Sequence, residues 1–191
     1  LSKDKVNKII LPNINKSIFF ISLKSLRKEI LNLKWVNKLN LKIDYPSRLI
    51  IEIEEKIPSA IYREKNKNYY IDEYGNKIDL VQNLKDYNLI LIYGNDALID
   101  ASNLIKHIKL YNKIKVVSAE YIGSRRWDLI TKNNIRIKMP ERDLNNALKN
   151  LNDIYLDIEK LKNNVVNYVD LRLPKKAIIM FNNKETIDIL T

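Results

Sequence analysis

The spacing of apolar positions changes along the chain, and each change marks an element. At the start the spacing is helical: Val6, Ile9 and Ile10 fall on one stripe, with Ser2 placed to cap the helix. The stretch "LPNINKSIFF" reads as a loop. Ser22 is placed to cap a second helix, whose stripe is Leu23, Leu26, Ile30 and Leu31. From Trp35 the period drops to two. "WVNKLNLKIDYPSRLIIEIEE" alternates on both sides of Tyr45-Pro46-Ser47. Val36, Leu39, Leu41 and Ile43 fall on one arm, with strict alternation broken between Val36 and Leu39. Leu49, Ile51 and Ile53 fall on the other, against Glu52 and Glu54. This predicts a hairpin with one wet face, and a helix-helix-hairpin unit ending near Pro58.

A second unit begins with short strands in "SAIYREK", "NYYIDEYG" and "NKIDL", turning at Tyr74-Gly75-Asn76. "NLILIYG" reads as a buried strand. Residues 97–111 predict an amphipathic helix with Leu98, Ala101, Leu104, Ile105, Ile108 and Tyr111 on its stripe. "KVVSAEYI" and "RRWDLITKNNIRIKM" read as strands with a turn at Asn133-Asn134. Residues 142–162 carry the strongest helical stripe, from Leu144 through Ala147, Leu148, Leu151, Ile154, Tyr155 and Ile158 to Leu161. Two strands in "NYVDLRLPKKAIIMF" then close the pattern. The fold class is α+β, organised as residues 1–57 and 58–191.

Those last strands raise the sharpest question. In the first, Val165, Val169, Leu171 and Leu173 form one face, and Val166, Tyr168, Asp170 and Arg172 the other. In the second, Ala177, Ile179 and Phe181 alternate with Ile178 and Met180. An edge strand is usually blunted by charge, proline or a bulge, and this one has none from Ala177 to Phe181. Either it is a free edge that takes a strand from another chain, or "ETIDIL" pairs on its outside.

Charge adds less than its size suggests. The net charge is +11, but it comes from 26 lysines against eight arginines spread through an Ile- and Asn-rich chain. That spread reads as coding bias rather than as the clustered footprint of a nucleic-acid binder. The chain has no Cys and one His, His107, which reads as a surface residue; disulfides and thiolate metal sites are excluded. Three glycines supply no phosphate-binding loop. Glu52 and Glu54 point the same way but read as a solvated sheet face, and Asp72 and Glu73 as turn residues. No nucleophile, base and charge stabiliser converge, so no enzyme and no cofactor is expected. No apolar run is long enough to span a bilayer. Arg125-Arg126-Trp127-Asp128 stands out because Arg and Trp are scarce. Trp127 reads as a core residue sharing a face with Arg125, and either arginine is open to an acidic partner.

Taken in order, four segments resemble the extracytoplasmic region of the bacterial FtsQ/DivIB cell-division family. They are "LKWVNKLNLKIDYPSRLIIEIEEKIPSAIY" (Glu55, Pro58, Ala60, Tyr62), "YYIDEYGNKI" (Ile71, Asp72, Gly75), "RRWDL" with Asn134, Ile135 and Met139-Pro140-Glu141, and "YVDLRLP" at 168–174. The resemblance implies a POTRA domain over residues 1–57, its first strand expected ahead of Leu1, and a β-domain over 58–191 with a curved, mostly antiparallel sheet and packed helices. It implies a non-catalytic scaffold at the division septum, held in the inner membrane by a transmembrane helix outside this chain, with this region in the periplasm. The implied partners are FtsB and FtsL, and further FtsK, FtsW and FtsI. In the family, the FtsB tail adds a strand to the last β-strand and makes salt bridges to arginines. By matched position the implied contacts are Arg172, Leu173, Lys175, Lys176, Ala177, Ile178, Ile179, Met180 and Phe181, with Arg125 or Arg126 holding a second acidic residue. Some members have Tyr where Leu173 stands, and a Gly-bearing turn in place of Pro174-Lys175-Lys176. The alternatives are another POTRA-containing protein of outer-membrane assembly or secretion, and a basic nucleic-acid-binding domain.

Overall fold

The computed structural model describes residues 3–14, 16–81, 88–160, 166–173, 175–182 and 186–190. Ser2, Leu161, Val165 and Pro174, read above as a cap, a stripe position, a strand position and a turn residue, lie outside them. The chain divides into two compact units, residues 1–57 and 58–191.

The first unit contains α1 (Lys3–Ile10), α2 (Leu23–Leu31), β1 (Val36–Asp44) and β2 (Arg48–Glu55). Ser22 caps α2: its hydroxyl accepts from the Ser25 backbone N–H at 3.3 Å. β1 and β2 pair antiparallel, with Leu39 opposite Ile53, Leu41 opposite Ile51 and Ile43 opposite Leu49. A register shift between Val36 and Lys38 accounts for the broken alternation at Leu39. Leu26, Ile30, Val36 and Leu39 are buried between helix and hairpin. On the wet face Glu54 takes Asn37 and Lys38, and Glu52 takes Asn40, so these carboxylates are cross-strand partners.

The second unit runs β3 (Ala60–Glu64), β4 (Lys67–Ile71), β5 (Lys77–Leu80), β6 (Ile90–Tyr93), α3 (Ala97–Leu110), β7 (Val116–Ile122), β8 (Arg126–Thr131) and β9 (Arg136–Lys138). It continues with α4 (Leu144–Lys160), β10 (Val166–Asp170), β11 (Lys176–Phe181) and β12 (Thr186–Leu190). The ten strands form one sheet in the order β12-β11-β10-β9-β8-β7-β6-β3-β4-β5. Most pairs are antiparallel; β3 with β6, β6 with β7 and β9 with β10 are parallel. Parallel neighbours need a crossover. α3 makes the one from β6 to β7, and α4 the one from β9 to β10.

Both helices press their stripes onto the same sheet face. Ala101, Leu104, Leu148, Leu151 and Tyr155 meet Trp127, Leu129, Ile137, Val169 and Ile179 in one core. Trp127 is buried as expected. Its indole N–H donates to Asp100 at 2.7 Å and its ring lies 4.6 Å from that of Tyr121. α4 starts at Leu144 rather than at 142 because Asp143, in the left-handed region at φ 64°, sits just ahead of its first turn and accepts from Asn146.

Two expectations for the last strands are corrected. Ala177–Phe181 is not a free edge: β12 pairs with β11 from Lys176 to Met180, with Ala177 opposite Ile189 and Ile179 opposite Ile187. Ile187 and Ile189 have the alternation needed to extend the core face outward, and Ile189 packs against the core. The uncharged strand is thus covered from within the chain, and the sheet ends one strand further out. Second, Val166 sits in the core with Val169, not on the opposite face. A bulge between Val166 and Tyr168 shifts the register there.

Candidate functional site

A strand places residues i and i+2 on one face. Asp128 with Arg126, and Asp170 with Arg172, are therefore neighbours before any folding. The sheet then lines these pairs up on the face away from the helices. By register Glu120 lies opposite Asp128, Asp128 opposite Lys138, and Lys138 opposite Asp170. Arg126 reaches Asp128 at 2.8 Å, and Arg136 lies 3.7 Å from Asp128 and 3.9 Å from Glu120. Lys138 stands over the Tyr168 ring at 3.8 Å. The row is an ionic ladder across β7 to β10, with partly buried Ile178 and Met180 of β11 continuing the same face.

Arg172 ends the ladder. Its Nε donates to Asp170 Oδ1 at 2.9 Å and its Nη2 to Oδ2 at 2.6 Å, while its backbone N–H adds a third bond at 3.1 Å. The fork is held in place, and the side chain remains 48% exposed. Beside it opens a groove of about 500 Å³ between the start of α4 and the β10–β11 connection. Its lining carries Arg142, Arg172, Lys175 and Lys176 against Asp143 alone. Lys176 also bridges to Asp188 of β12 at 2.6 Å. This corner is suited to an acidic peptide segment lying along the sheet end.

The expected contact residues divide accordingly. Arg172, Leu173, Lys175 and Lys176 come together at the groove, with Leu173 half exposed there rather than on the core face. Ala177, Ile179 and Phe181 are buried in the core, so a partner reaches only their strand's other face, Ile178 and Met180. Arg126 faces the ladder, bound to Asp128. Arg125 lies in the exposed turn before β8, apart from it. The sequence reading missed Arg142 and Asp188, which reach the site through the α4 crossover and the closing hairpin. No local spacing signals either one.

The Asp170–Arg172 pair carries a pH signature. Burial pushes the Asp170 carboxyl upward, but hydrogen bonds from the Arg172 side chain and backbone, with the charges of Arg172 and Lys138, outweigh it and hold the carboxyl low. A carboxyl depressed in the fold stabilises it above the unfolded value, about 4, and that contribution is lost as pH falls through the folded value. In Arg172→Ala the side-chain bonds and the guanidinium charge are lost, and burial is then opposed only by the residue-172 backbone N–H and by Lys138. Solvent at the half-exposed guanidinium screens the pair, so the cost is set below the buried-pair range, at about 2 kcal/mol at pH 7. Urea unfolding at pH 7 and about pH 3 should show that deficit shrinking with acidification. A deficit independent of pH would contradict the assignment.

Comparison with known proteins places these features. Residues 60–172 match the family model described as cell division protein FtsQ/DivIB, C-terminal, and residues 1–56 match POTRA domain, FtsQ-type. The cell division protein FtsQ of Rickettsia bellii is 32% identical over 175 residues, covering 90% of this chain and 64% of the relative. That of Rickettsia prowazekii is 33% identical over 172 residues (87% and 63%), and that of Bradyrhizobium diazoefficiens 24% over 184 residues (95% and 54%). The chain thus spans less than two thirds of the length of each. The first match ends at Arg172, so β11 and β12 lie past it.

Proposed function

The chain belongs to the FtsQ/DivIB family of cell division proteins, and from that premise we propose that it is a non-catalytic scaffold of the septal machinery. It holds the FtsB/FtsL pair by strand addition at the open side of β12, with the groove beside Arg172 receiving acidic residues of the incoming tail. FtsK, FtsW and FtsI are its further contacts, and the region works in the periplasm, anchored in the inner membrane by a segment ahead of residue 1. Among the described residues no helix is long and apolar enough to cross a membrane.

The observation that supports this reading most directly is the position of β12. It pairs with β11 on one side and with no other described strand, and it ends beside a groove lined by four cations. Strand addition draws affinity from main-chain hydrogen bonds and selectivity from neighbouring charges. The opposite sheet end, β5, presents Lys77 and Asp79 over four residues and is the better guarded edge.

The test is titration of the soluble FtsB/FtsL pair into this chain. Binding should weaken as salt rises. Arg172→Glu should weaken it at least about tenfold and Lys175→Glu about threefold, the range for charges at a partly desolvated rim. Lys175 is exposed in a turn, so its variant separates lost steering from lost fold. No binding, or affinity unchanged in both variants, would overturn the proposal.

A further inference from the structure

The first unit carries an apolar surface that its own core does not use. The connection from α1 to α2 exposes Leu11 (59%), Ile14 (53%), Phe19 (77%) and Phe20 (84%). The hairpin tip adds Tyr45, 67% exposed, with its ring 6.1 Å from that of Phe19. The connection and the hairpin tip thus bring Phe19 and Tyr45 together. The charge around them is predominantly positive; Asp44, next to Tyr45, is a nearby carboxylate and lies 3.6 Å from Arg48. From Lys3 to Lys28 the chain has six lysines and Arg27 against the single carboxylate Asp4. Lys16 and Lys24, both exposed, flank Phe19-Phe20 along the chain.

We infer that this surface docks onto an anionic lipid bilayer, with Phe19, Phe20 and Tyr45 entering the headgroup boundary and the flanking lysines meeting lipid phosphates. Two observations choose this occupant. The rings are exposed by two thirds or more, so they stand out from the surface instead of lining a recess. A folded partner would need a matching cavity for each, whereas a bilayer interface admits protruding rings without one. The cationic run also opposes a second copy of the chain, which would bring the same charge to the contact. It complements a negatively charged lipid surface, where each basic residue adds attraction.

Co-sedimentation of the whole chain with vesicles tests this. At about 0.1 M salt, where screening acts over about 10 Å, the protein should partition onto phosphatidylglycerol-containing vesicles. It should bind pure phosphatidylcholine at least about tenfold more weakly. Phe19→Ser/Phe20→Ser should lose about tenfold or more on the anionic vesicles, because two inserted rings are removed. Lys16→Glu/Lys24→Glu should lose several-fold, and the loss should fade as salt rises. Should the double Phe variant melt early, Phe20→Ser alone, at the most exposed ring, replaces it. Three results would overturn the inference: no partition of the wild type, a Phe variant that partitions like wild type, or a wild type that runs as a dimer where the Phe variant is a monomer.

Discussion

Gly94→Ala is expected to destabilise the larger unit by about 4 kcal/mol or more, from backbone strain plus overlap with an immovable neighbour. Gly94 follows β6 at φ +118°, a conformation closed to residues with a side chain. A Cβ there would stand 2.8 Å from the backbone nitrogen of Tyr121 and closer still to its carbonyl oxygen. Both belong to β7, which is fixed between β6 and β8, so neither side can retreat without breaking the sheet at its parallel pairs. For a unit of this size the melting temperature should fall by roughly 12–20 °C. Gly123→Ala is the contrast. Its φ is also positive, at +57°, but a Cβ there meets only the flexible Arg125 side chain at 3.6 Å. Its cost should stay near 1 kcal/mol. Thermal denaturation followed by circular dichroism separates the two; a Gly94→Ala chain melting within about 3 °C of wild type would refute the close approach.

That glycine also shows where sequence reading stops. A Gly after a buried strand is visible in "NLILIYG", but the atom that forbids a side chain belongs to Tyr121, 27 positions on and across a parallel pairing. Periodicity records which face a residue presents, not which strand lies beside it. The long stripe of α4 and the alternating arms of β1 and β2 were therefore legible, because local spacing determines both. The sheet order was not, since strands as short as β9, three residues, carry no signal of their neighbours. Bulges defeat the pattern differently: the extra residue at Val166–Tyr168 moves Val166 across the sheet. At the candidate site the ionic pairs were within reach, because Arg126 and Asp128 are two apart on β8 and Arg172 lies two residues past Asp170 at the end of β10. The groove was not, because Arg142 joins it only once α4 has crossed the sheet. The closing segment is the instructive case. Ile187 and Ile189 alternate as a strand should, and what settles their place is that Ala177, Ile179 and Phe181 offer an apolar row to extend.

Because the sheet ends at β12, a proline pair there should separate fold from binding. Successive residues of a strand direct their amides to opposite sides. Of Ile187 and Asp188, one N–H faces β11 and the other faces outward. Proline at the inward position breaks the closing hairpin; at the outward position it removes one amide and sets its ring against an arriving strand. Of Ile187→Pro and Asp188→Pro, one should therefore keep its melting temperature within about 2 °C of wild type yet bind the FtsB/FtsL pair at least about thirtyfold more weakly. Asp188→Ala is the needed reference, because Asp188 also bridges to Lys176 and its loss alone frees that cation. Both groups of that bridge are about half exposed, so Asp188→Ala should change stability by less than about 1 kcal/mol. A chain ending before Thr186 distinguishes addition from replacement. If the incoming strand adds outside β12, truncation should cost affinity, because the docking edge is gone. If it replaces β12, truncation should raise affinity, since the population held closed by β12 no longer subtracts from binding. Equal affinity in both proline variants, with the hairpin intact in one, would remove strand addition from the account and leave the basic groove as the docking element.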